Sequence, residues 1–314
     1  MRFSLLQPLL DVPIAVVDTE TTGASAAFGH KVIEIGIVRV ERGQTVARYE
    51  QLIDPGRRIS PGVTFLTGIS QEMVDGQLKF KDRLPEIMKL FEGAAILGHN
   101  IRFDLSFLHA ECRRAGADLC QALGDIPVLD TVRIARKRFG RGGNSLPILS
   151  RRLGVDPVVS HRALADAITT AGVFEKLIEP VGGWGLSLCD TFAQQGGPMD
   201  LARSGSASLL PLELEEALEA QKPVMIEYLD ARGKRTHRAI KPLHVRRAKG
   251  ELLLIAHCHL REDRRTFKLD RIVRLARMED GVAPEAIVQS VEACEDADAP
   301  VEAMSGERQL FDEV

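Results

Sequence analysis

The sequence predicts an α/β domain followed by a small all-β domain, and three observations support this prediction. In the first half of the chain, short β-type runs come first and helical patterns come later, an order typical of an α/β sandwich. After residue 208, five short β-type runs separated by turns follow one another, as in a small barrel or a strongly bent sheet. The length of 314 residues also exceeds that of one ordinary domain.

The first domain is predicted to begin with strands and to continue with helices. Three β-type runs open it: Pro13–Asp18, Val32–Val40 and Thr45–Ile53. The first run is apolar up to its last residue, Asp18, and predicts a buried strand, whereas the second alternates in part and predicts a half-exposed one. A helix, a short strand and three more helices follow: Leu84–Phe91, Ala94–Gly98, Ile101–Ala115, Asp130–Phe139 and Arg162–Ile178.

Changes in composition divide the chain into four segments. Residues 1–180 form the predicted α/β domain. Residues 181–208 are interrupted by glycine and serine, which predicts a linker with one short helix. Residues 209–278 begin with an amphipathic helix, Leu209–Gln221, and contain the five β-type runs of the second domain. Residues 279–314 are acidic and poor in aromatic residues, so we expect a disordered tail.

The charge of the chain is unevenly distributed. The net charge is −3, but residues 222–278 hold sixteen Lys and Arg against six Asp and Glu, a net of +10. Residues 279–314 carry a net of −10. A basic block of this kind predicts a polyanionic partner such as nucleic acid for the second domain.

Cysteine usage and hydropathy bear on the compartment. The five cysteines are odd in number and form no C-x-x-C pair, so neither a disulfide framework nor a zinc ribbon is indicated. Gln7, Pro8 and Asp11 interrupt the apolar start of the chain, which argues against a signal peptide. The sequence contains no uninterrupted apolar run of about 18 residues. We therefore expect a cytoplasmic protein without a membrane partner.

The strongest functional signal lies at the end of the first predicted strand, in Asp18-Thr19-Glu20-Thr21-Thr22-Gly23. Residues two apart in a strand point to the same face, so Asp18 and Glu20 present two carboxylates side by side. Their repulsion would be relieved by a hard divalent cation such as Mg²⁺ or Mn²⁺. An isolated D-x-E is equally typical of a solvated strand end, so the interpretation depends on further motifs.

Two further segments supply that support. Gly98-His99-Asn100-Ile101-Arg102-Phe103-Asp104 closes a short strand and enters a helix, and His161-Arg162-Ala163-Leu164-Ala165-Asp166-Ala167 begins another. Five residues along an ideal helix are about 140° apart, so His161 and Asp166 can meet only if His161 precedes the helix. Taken singly, each segment is also explained by an acid at a helix start or a solvated histidine.

Together the three segments resemble the DEDDh 3′–5′ exonucleases, the family of the bacterial polymerase proofreading subunit. The pattern in that family is D-x-E-T-T-G, then G-H-N-x-x-F-D, then H-x-A-x-x-D-A, and all three occur here in order. Residues 63–69, followed by Glu72-Met73, also look like the family's loop between the first two motifs. The resemblance covers roughly residues 10–180. It implies a ribonuclease-H-like fold, in which a mixed five-stranded sheet is flanked by helices.

The resemblance also implies how the site works. Asp18, Glu20, Asp104 and Asp166 would hold two Mg²⁺ or Mn²⁺ ions, and His161 would be the general base that takes a proton from the attacking water. Five residues would contact the last nucleotide: Thr19, Thr22, Leu66, Asn100 and Phe103. Phe103, at a helix start, is equally explained as a core residue.

Three segments of the second half resemble the WYL domain, a small Sm/SH3-like barrel common in bacterial regulators. They are Ile226-Glu227-Tyr228, Arg238 with Pro242, and residues 265–272. Leu252-Leu253-Leu254 stands where Trp-Tyr-Leu is expected, which argues against base stacking by this triplet. WYL-like modules bind nucleic acids or nucleotide ligands, so the resemblance implies that Arg238, Arg265 and Arg271 are contact residues. A basic barrel that only tethers or dimerises is the alternative.

We therefore predict a metal-dependent 3′–5′ exonuclease of DNA replication or repair. It would release nucleoside monophosphates from single-stranded or frayed 3′ ends of DNA, with a nucleic-acid-binding or sensing module behind it. RNA is the alternative substrate, as in an oligoribonuclease-like enzyme. The rival from another class is a non-catalytic WYL-type regulator, against which the intact acids and His161 argue. Gln309-Leu310-Phe311 resembles a sliding-clamp-binding peptide and predicts a clamp or polymerase contact through the tail.

Overall fold

The computed structural model describes residues 3–23, 25–156, 161–201, 210–230, 234–248 and 251–277. The first sheet has five strands: β1 (Ile14–Thr21), β2 (Val32–Glu41), β3 (Gln44–Leu52), β4 (Ala95–Gly98) and β5 (Val128–Asp130). Their order is β3-β2-β1-β4-β5. The first three strands pair antiparallel, while β4 and β5 run parallel to β1. The predicted mixed five-stranded sheet is confirmed.

Nine helices of the described residues belong to this half of the chain: α1 (Pro61–Thr67), α2 (Gln71–Val74), α3 (Phe80–Phe91), α4 (Arg102–Arg114), α5 (Leu119–Leu123), α6 (Thr131–Phe139), α7 (Leu146–Leu153), α8 (Ala163–Ile178) and α9 (Leu188–Gln194). Side-chain caps fix several of their starts, because the first backbone N–H groups of a helix need acceptors. Ser60, Asp118 and Asp130 accept such bonds at α1, α5 and α6. Within the described ranges, we find no helix with the length and apolar character that crossing a membrane requires.

Strand β2 is more buried than its sequence predicts. Val32–Val38 is buried throughout, and the predicted half-exposed strand is wrong over this stretch. The reason is that both faces of the sheet are covered. Ile35 and Ile37 pack in one core cluster with Phe91 and residues of α4, while Val38 packs in a second cluster with residues of α8. A strand covered on both faces loses its polar alternation.

The segment predicted as a linker packs against the first domain over its described part. The Leu9 N–H donates to the Leu186 carbonyl at 2.8 Å. The Gln195 amide accepts from the Asp130 N–H and donates to the Val128 carbonyl, both at 3.0 Å. His109 is bonded to the Leu201 carbonyl at 2.8 Å. Residues 181–201 thus pack against strand β5 and helix α4 of the first domain.

The described residues from 210 to 277 contain one α-helix and a separate five-stranded sheet. Its elements are α10 (Leu212–Ala220), β6 (Val224–Leu229), β7 (Arg235–Ala248), β8 (Glu251–Cys258), β9 (Asp263–Lys268) and β10 (Ile272–Arg277). The strand order is β10-β6-β7-β8-β9, and all neighbours pair antiparallel. The predicted all-β character is confirmed. The tail from residue 279, including the predicted clamp-binding tripeptide, lies outside the described residues.

Candidate active site

The site is built at one edge of the first sheet. Parallel strands present their carboxyl ends at the same edge, and β1, β4 and β5 are parallel. Asp18 and Glu20 lie near the end of β1, Asn100 and Asp104 follow β4, and Asp130 ends β5. The fold therefore gathers the first two motifs because each follows or closes one of these strands.

Helix α8 brings the third motif to the same place. Gly36 pairs with Asp18 across the β1–β2 ladder, and a Cβ atom at Gly36 would collide with the backbone of Ala163 and Leu164. The absence of a side chain there lets the start of α8 lie directly on the sheet, on the face that carries Asp18 and Glu20. Asp166 lies in the first turn of this helix.

His161 precedes α8, as the sequence predicts. It has a left-handed backbone (φ 63°), and its N–H donates to the Asp166 carboxylate at 3.0 Å. Ligand atoms of Glu20, His161 and Asp166 all lie within 4.8 Å of one another. These three residues form a candidate metal-binding group with a histidine at its exposed side.

Asp104 is fixed beside this group by a different set of contacts. It is 3% exposed, and the Thr19 hydroxyl donates to its carboxylate at 2.7 Å. Just before α4, Asn100 adopts a left-handed backbone (φ 61°), and its N–H donates to the Asp130 carboxylate at 3.1 Å. Thr19 therefore ties the first motif to the second, and Asp130 holds the turn that leads into Asp104.

Burial is the main reason why the pKa of each of the four acids is raised. Burial raises the pKa of Asp18 and Glu20 well above the ordinary value, and the neighbouring carboxylates add to the effect. Burial raises the pKa of Asp104 to about 7, against the hydrogen bond from Thr19, and that of Asp166 to about 6. Burial and mutual repulsion make the ionised forms of these acids unfavourable. A hard divalent cation bound to their oxygens would offset this penalty, so the acids fit such a cation.

Glu34 is a further buried carboxylate of this site, and it lies outside the three predicted motifs. It pairs with Glu20 across the β1–β2 ladder. The Arg162 guanidinium donates to it at 2.6 to 3.1 Å, and the Ala163 N–H donates at 2.8 Å. With both oxygens engaged, Glu34 anchors the start of α8. Its signal in the sequence is an acid inside the apolar run Val32–Ile37.

The residues predicted to contact the last nucleotide have varied surroundings. The Thr19 hydroxyl is engaged by Asp104, and the Thr22 hydroxyl accepts from the Lys31 N–H at 3.0 Å. Asn100 is held by Asp130. Phe103 packs on Phe107, with ring centroids 5.0 Å apart, and against the core. Leu66 is half-buried on α1, a helix that packs against β10 of the second sheet.

Two of the three predicted arginines of the second sheet share one concave surface. Arg238 and the exposed Arg265 both line it, together with Tyr228 and Phe267. The rings of Tyr228 and Phe267 meet edge to face, 5.2 Å between centroids. Arg271 lies on the short 3₁₀ turn after β9 and does not line this surface. Aromatic groups are thus present even though the Trp-Tyr-Leu triplet is absent.

Comparison with known protein families assigns both halves of the chain. Residues 15–174, about half of the chain, match the Exonuclease (RNase T) family, and this range contains all four acids and His161. The chain belongs to the Exonuclease family. Residues 211–277 match the WYL domain. Both resemblances predicted from the sequence are confirmed, and the two halves are called the exonuclease domain and the WYL domain below.

Relatives match the exonuclease domain at moderate identity. The 3′-5′ exonuclease DinG of Bacillus subtilis (strain 168) is 39% identical over 165 residues, which cover 52% of this chain and 17% of that protein. A PolC-type DNA polymerase III of Thermotoga maritima is 36% identical over 170 residues, 54% of this chain and 12% of that protein. The chain thus spans less than a fifth of the length of either relative.

A solved structure resembles more of the chain. The structure of exonuclease I superposes with a TM-score of 0.50 at 15% sequence identity, covering 93% of this chain and 74% of that chain. At this identity the likeness shows a shared fold. It supports the mixed five-stranded sheet with flanking helices that the motifs predict.

Proposed function

We propose that this protein is a divalent-cation-dependent 3′–5′ exonuclease that releases nucleoside monophosphates from 3′ ends of DNA. One observation carries the proposal: four buried or partly buried carboxylates with raised pKa values converge with His161 at the edge of a sheet of the Exonuclease family. The relatives named as DNA polymerase III support DNA as the substrate.

Asp18, Glu20, Asp104 and Asp166 would hold two Mg²⁺ or Mn²⁺ ions. The fit rests on the donor set, since hard divalent cations prefer carboxylate oxygens and these oxygens are buried and mutually repelling. Bound there, the cations would stabilise negative charge on the phosphate and make a water molecule more acidic. Thr19 keeps the Asp104 carboxylate oriented, and Glu34 with Arg162 keeps the start of α8 in place.

His161 would act as the general base. Its backbone is fixed to Asp166, while the residue itself is exposed, so its ring can meet a water molecule that enters from solvent. An imidazole titrates near neutral pH and can accept a proton from that water as the oxygen attacks the phosphorus. The leaving group is the 3′ oxygen of the penultimate nucleotide. We place the last nucleotide against Thr19, Thr22, Leu66, Asn100 and Phe103.

The activity is tested by digestion of 5′-labelled single-stranded DNA, duplex DNA and RNA of the same sequence, with Mg²⁺ and with EDTA. We expect a ladder shortened from the 3′ end on single-stranded DNA, and no cleavage in EDTA. If the label were found only on mononucleotides, digestion would proceed from the 5′ end. Faster digestion of RNA than of DNA would favour the oligoribonuclease-like alternative, and no cleavage of any substrate would favour the non-catalytic regulator.

We also propose that the WYL domain binds nucleic acid and raises affinity for long substrates. Arg238 and Arg265 share a surface with Tyr228, so cations and an aromatic face lie together as single-strand binding requires. Arg271 would contact the strand beyond this surface. Two connected binding sites make the second contact effectively intramolecular. A sensor of nucleotide ligands, or a domain that only tethers, is the alternative.

Two finer features of the architecture belong to the same proposal. The second sheet would close as an Sm/SH3-like barrel, since the Tyr228 hydroxyl on β6 accepts from the Lys268 N–H on β9 at 3.3 Å, although these strands are not neighbours in the sheet order. The exonuclease domain would extend to about residue 201 and not end at residue 180, because Gln195 and Leu201 bond to its interior.

A further inference from the structure

The WYL domain touches the exonuclease domain through helix α10. Two ion pairs stand at the rim of this contact: Arg136 with Glu215 at 3.2 Å and Arg141 with Glu219 at 3.0 Å. Between them lies Glu216, which is 2% exposed. Three acids of one helix therefore face the segment 136–144, and the middle one is buried in the contact.

Glu216 is bonded to the loop that precedes α7. One of its carboxylate oxygens accepts from the Gly143 N–H at 3.1 Å, and the other accepts from the Asn144 side-chain amide at 3.1 Å. Asn144 is fully buried and also donates to the Gly140 carbonyl at 3.1 Å. A buried carboxylate needs such donors, and the donors need the carboxylate, so this contact specifies one conformation of residues 140–144.

The other side of this loop lies against the second exonuclease motif. Burial lowers the pKa of His99 to about 4, and the Asn144 backbone next to the ring opposes this shift. The His99 ring is also bonded to the Thr131 hydroxyl at 2.8 Å, and that hydroxyl bonds to the Gly98 carbonyl at 3.3 Å. His99 is thus a partly buried ring that lies between the start of α6 and the loop that Glu216 fixes.

His99 adjoins the turn that aims Asp104. Asn100 follows it in a left-handed conformation, and α4 begins at Arg102 with Asp104 in its first turn. Glu216 is therefore connected to the turn before Asp104 through residues 140–144 and through α6, which ends at this loop and whose first residue, Thr131, bonds to His99. Each of these side chains is buried or partly buried, so a shift at one end has little free volume in which to dissipate.

We infer that Glu216 is a positioning residue of the exonuclease site, supplied by the WYL domain. The inference rests on the proposed exonuclease activity. It assigns the WYL domain a second contribution besides holding a long strand: its first helix fixes the loop that backs the second motif. A clamp changes the binding of long substrates only, whereas a positioning residue changes the turnover of a substrate too short to reach the second sheet.

The experiment measures kcat and KM on a labelled DNA dinucleotide with Mg²⁺, using the full-length protein. Glu216→Ala removes the acceptor of the Gly143 N–H and one of the two acceptors of the Asn144 amide. We expect kcat to fall about tenfold with KM little changed, as for residues that orient a site from outside it. Glu219→Ala is the matched control, because Glu219 lies on the same helix in an exposed ion pair. It should keep the wild-type kcat.

A second pair of variants tests the contact without removing a side chain. Asn144→Asp places two carboxylates face to face and should lower kcat as Glu216→Ala does. Adding Glu216→Gln to Asn144→Asp restores a donor opposite an acceptor and should recover part of the loss. This recovery would support the inference even if Glu216→Ala failed to fold.

The outcomes separate the two proposals. A wild-type protein that leaves every dinucleotide and long substrate intact overturns the exonuclease activity, and the inference with it. An active wild type with unchanged kcat in Glu216→Ala and Asn144→Asp overturns the inference alone. It is likewise overturned if the loss is entirely in KM, or if Asn144→Asp is not improved by Glu216→Gln.

Discussion

The acid site of the exonuclease domain and the basic surface of the WYL domain differ in how their charges are held. Asp104 is buried, and Asp104 and Asp166 accept hydrogen bonds from fixed donors. Arg265 is exposed on an edge strand, and Arg238 donates to the Thr236 hydroxyl at 3.1 Å and to the Cys258 sulfur at 4.0 Å. Buried charges depend on geometry and respond to one missing atom, whereas exposed charges act collectively and respond to salt.

The largest effect is expected at the acids. Asp18→Ala should abolish cleavage, because it removes an oxygen ligand at the centre of the site. Mn²⁺ should raise the Tm of the metal-free wild-type protein, since a ligand that binds only the folded state stabilises it, and this gain should shrink in the variant. Asp11→Asn, at an exposed turn, is the control. Activity that survives in Asp18→Ala or in EDTA contradicts the metal-dependent mechanism.

His161 is expected to come next. His161→Ala should lower kcat by about 10²- to 10⁴-fold, the usual contribution of a general base, with substrate affinity little changed. The acid limb of the pH–rate profile should flatten, because the titrating base is gone. His244→Ala, at an exposed position of β7, should retain the wild-type profile. Normal turnover with weakened binding would instead make His161 a phosphate contact.

Variants of Glu34 test whether a residue that anchors the start of α8, without itself binding the metal, affects the activity. Glu34→Gln weakens the bonds to Arg162 and Ala163, so α8 should lose its fixed start and activity should fall about 10- to 100-fold, as for partners that orient metal ligands. The Mn²⁺ concentration needed for half-maximal thermal stabilisation should rise in parallel. Glu50→Gln removes only the outer, 3.4 Å contact to Arg162 and should change little. Equal effects of both substitutions would show that Glu34 has no special role.

The basic surface should give a smaller and salt-dependent effect. In Arg238→Ala combined with Arg265→Ala, affinity for a thirty-nucleotide strand should fall at low salt. The slope of log affinity against log salt should flatten by about one for each phosphate that the protein no longer neutralises. Turnover of a dinucleotide should not change. Arg246→Ala, exposed on β7 outside this surface, is the control. An unaltered salt slope would favour a ligand sensor over a strand-binding module.

The smallest expected effect is on stability against pH. Burial raises the pKa of Asp104 from 3.8 to about 7, so the folded state prefers the protonated acid. The stability that this preference contributes is complete below the unfolded pKa and is lost as pH rises through about 7. In EDTA, Tm should therefore fall by a few degrees between about pH 5 and pH 8. Asp104→Asn should flatten the fall, and a Tm that rises over this range would contradict it.

Features that depend on residues close together in the chain are predicted from the sequence, whereas features that depend on residues far apart in the chain are not. Asp18, Glu20 and the placement of His161 before a helix follow from spacing within a few residues, and these predictions agree with the structure. The burial of Glu34 depends on Arg162, 128 residues away along the chain. Gln195 bonds to Asp130 and Glu216 bonds to Asn144, likewise across long stretches of chain. The sequence around each of these residues does not indicate its bonding partner. Local pattern therefore specifies the candidate ligands, and packing specifies the residues that support them.

Gly36 offers a way to separate the charge of the site from its shape. Every acid variant also removes repulsion toward the phosphates of a substrate, so weaker or tighter binding in such a variant has two causes. Gly36→Ala would keep all ionisable groups and displace only the start of α8, since the added methyl group meets the Ala163 and Leu164 backbone. The result would be an inactive protein that keeps every ionisable group, and substrate affinity could be measured on it without a change in net charge.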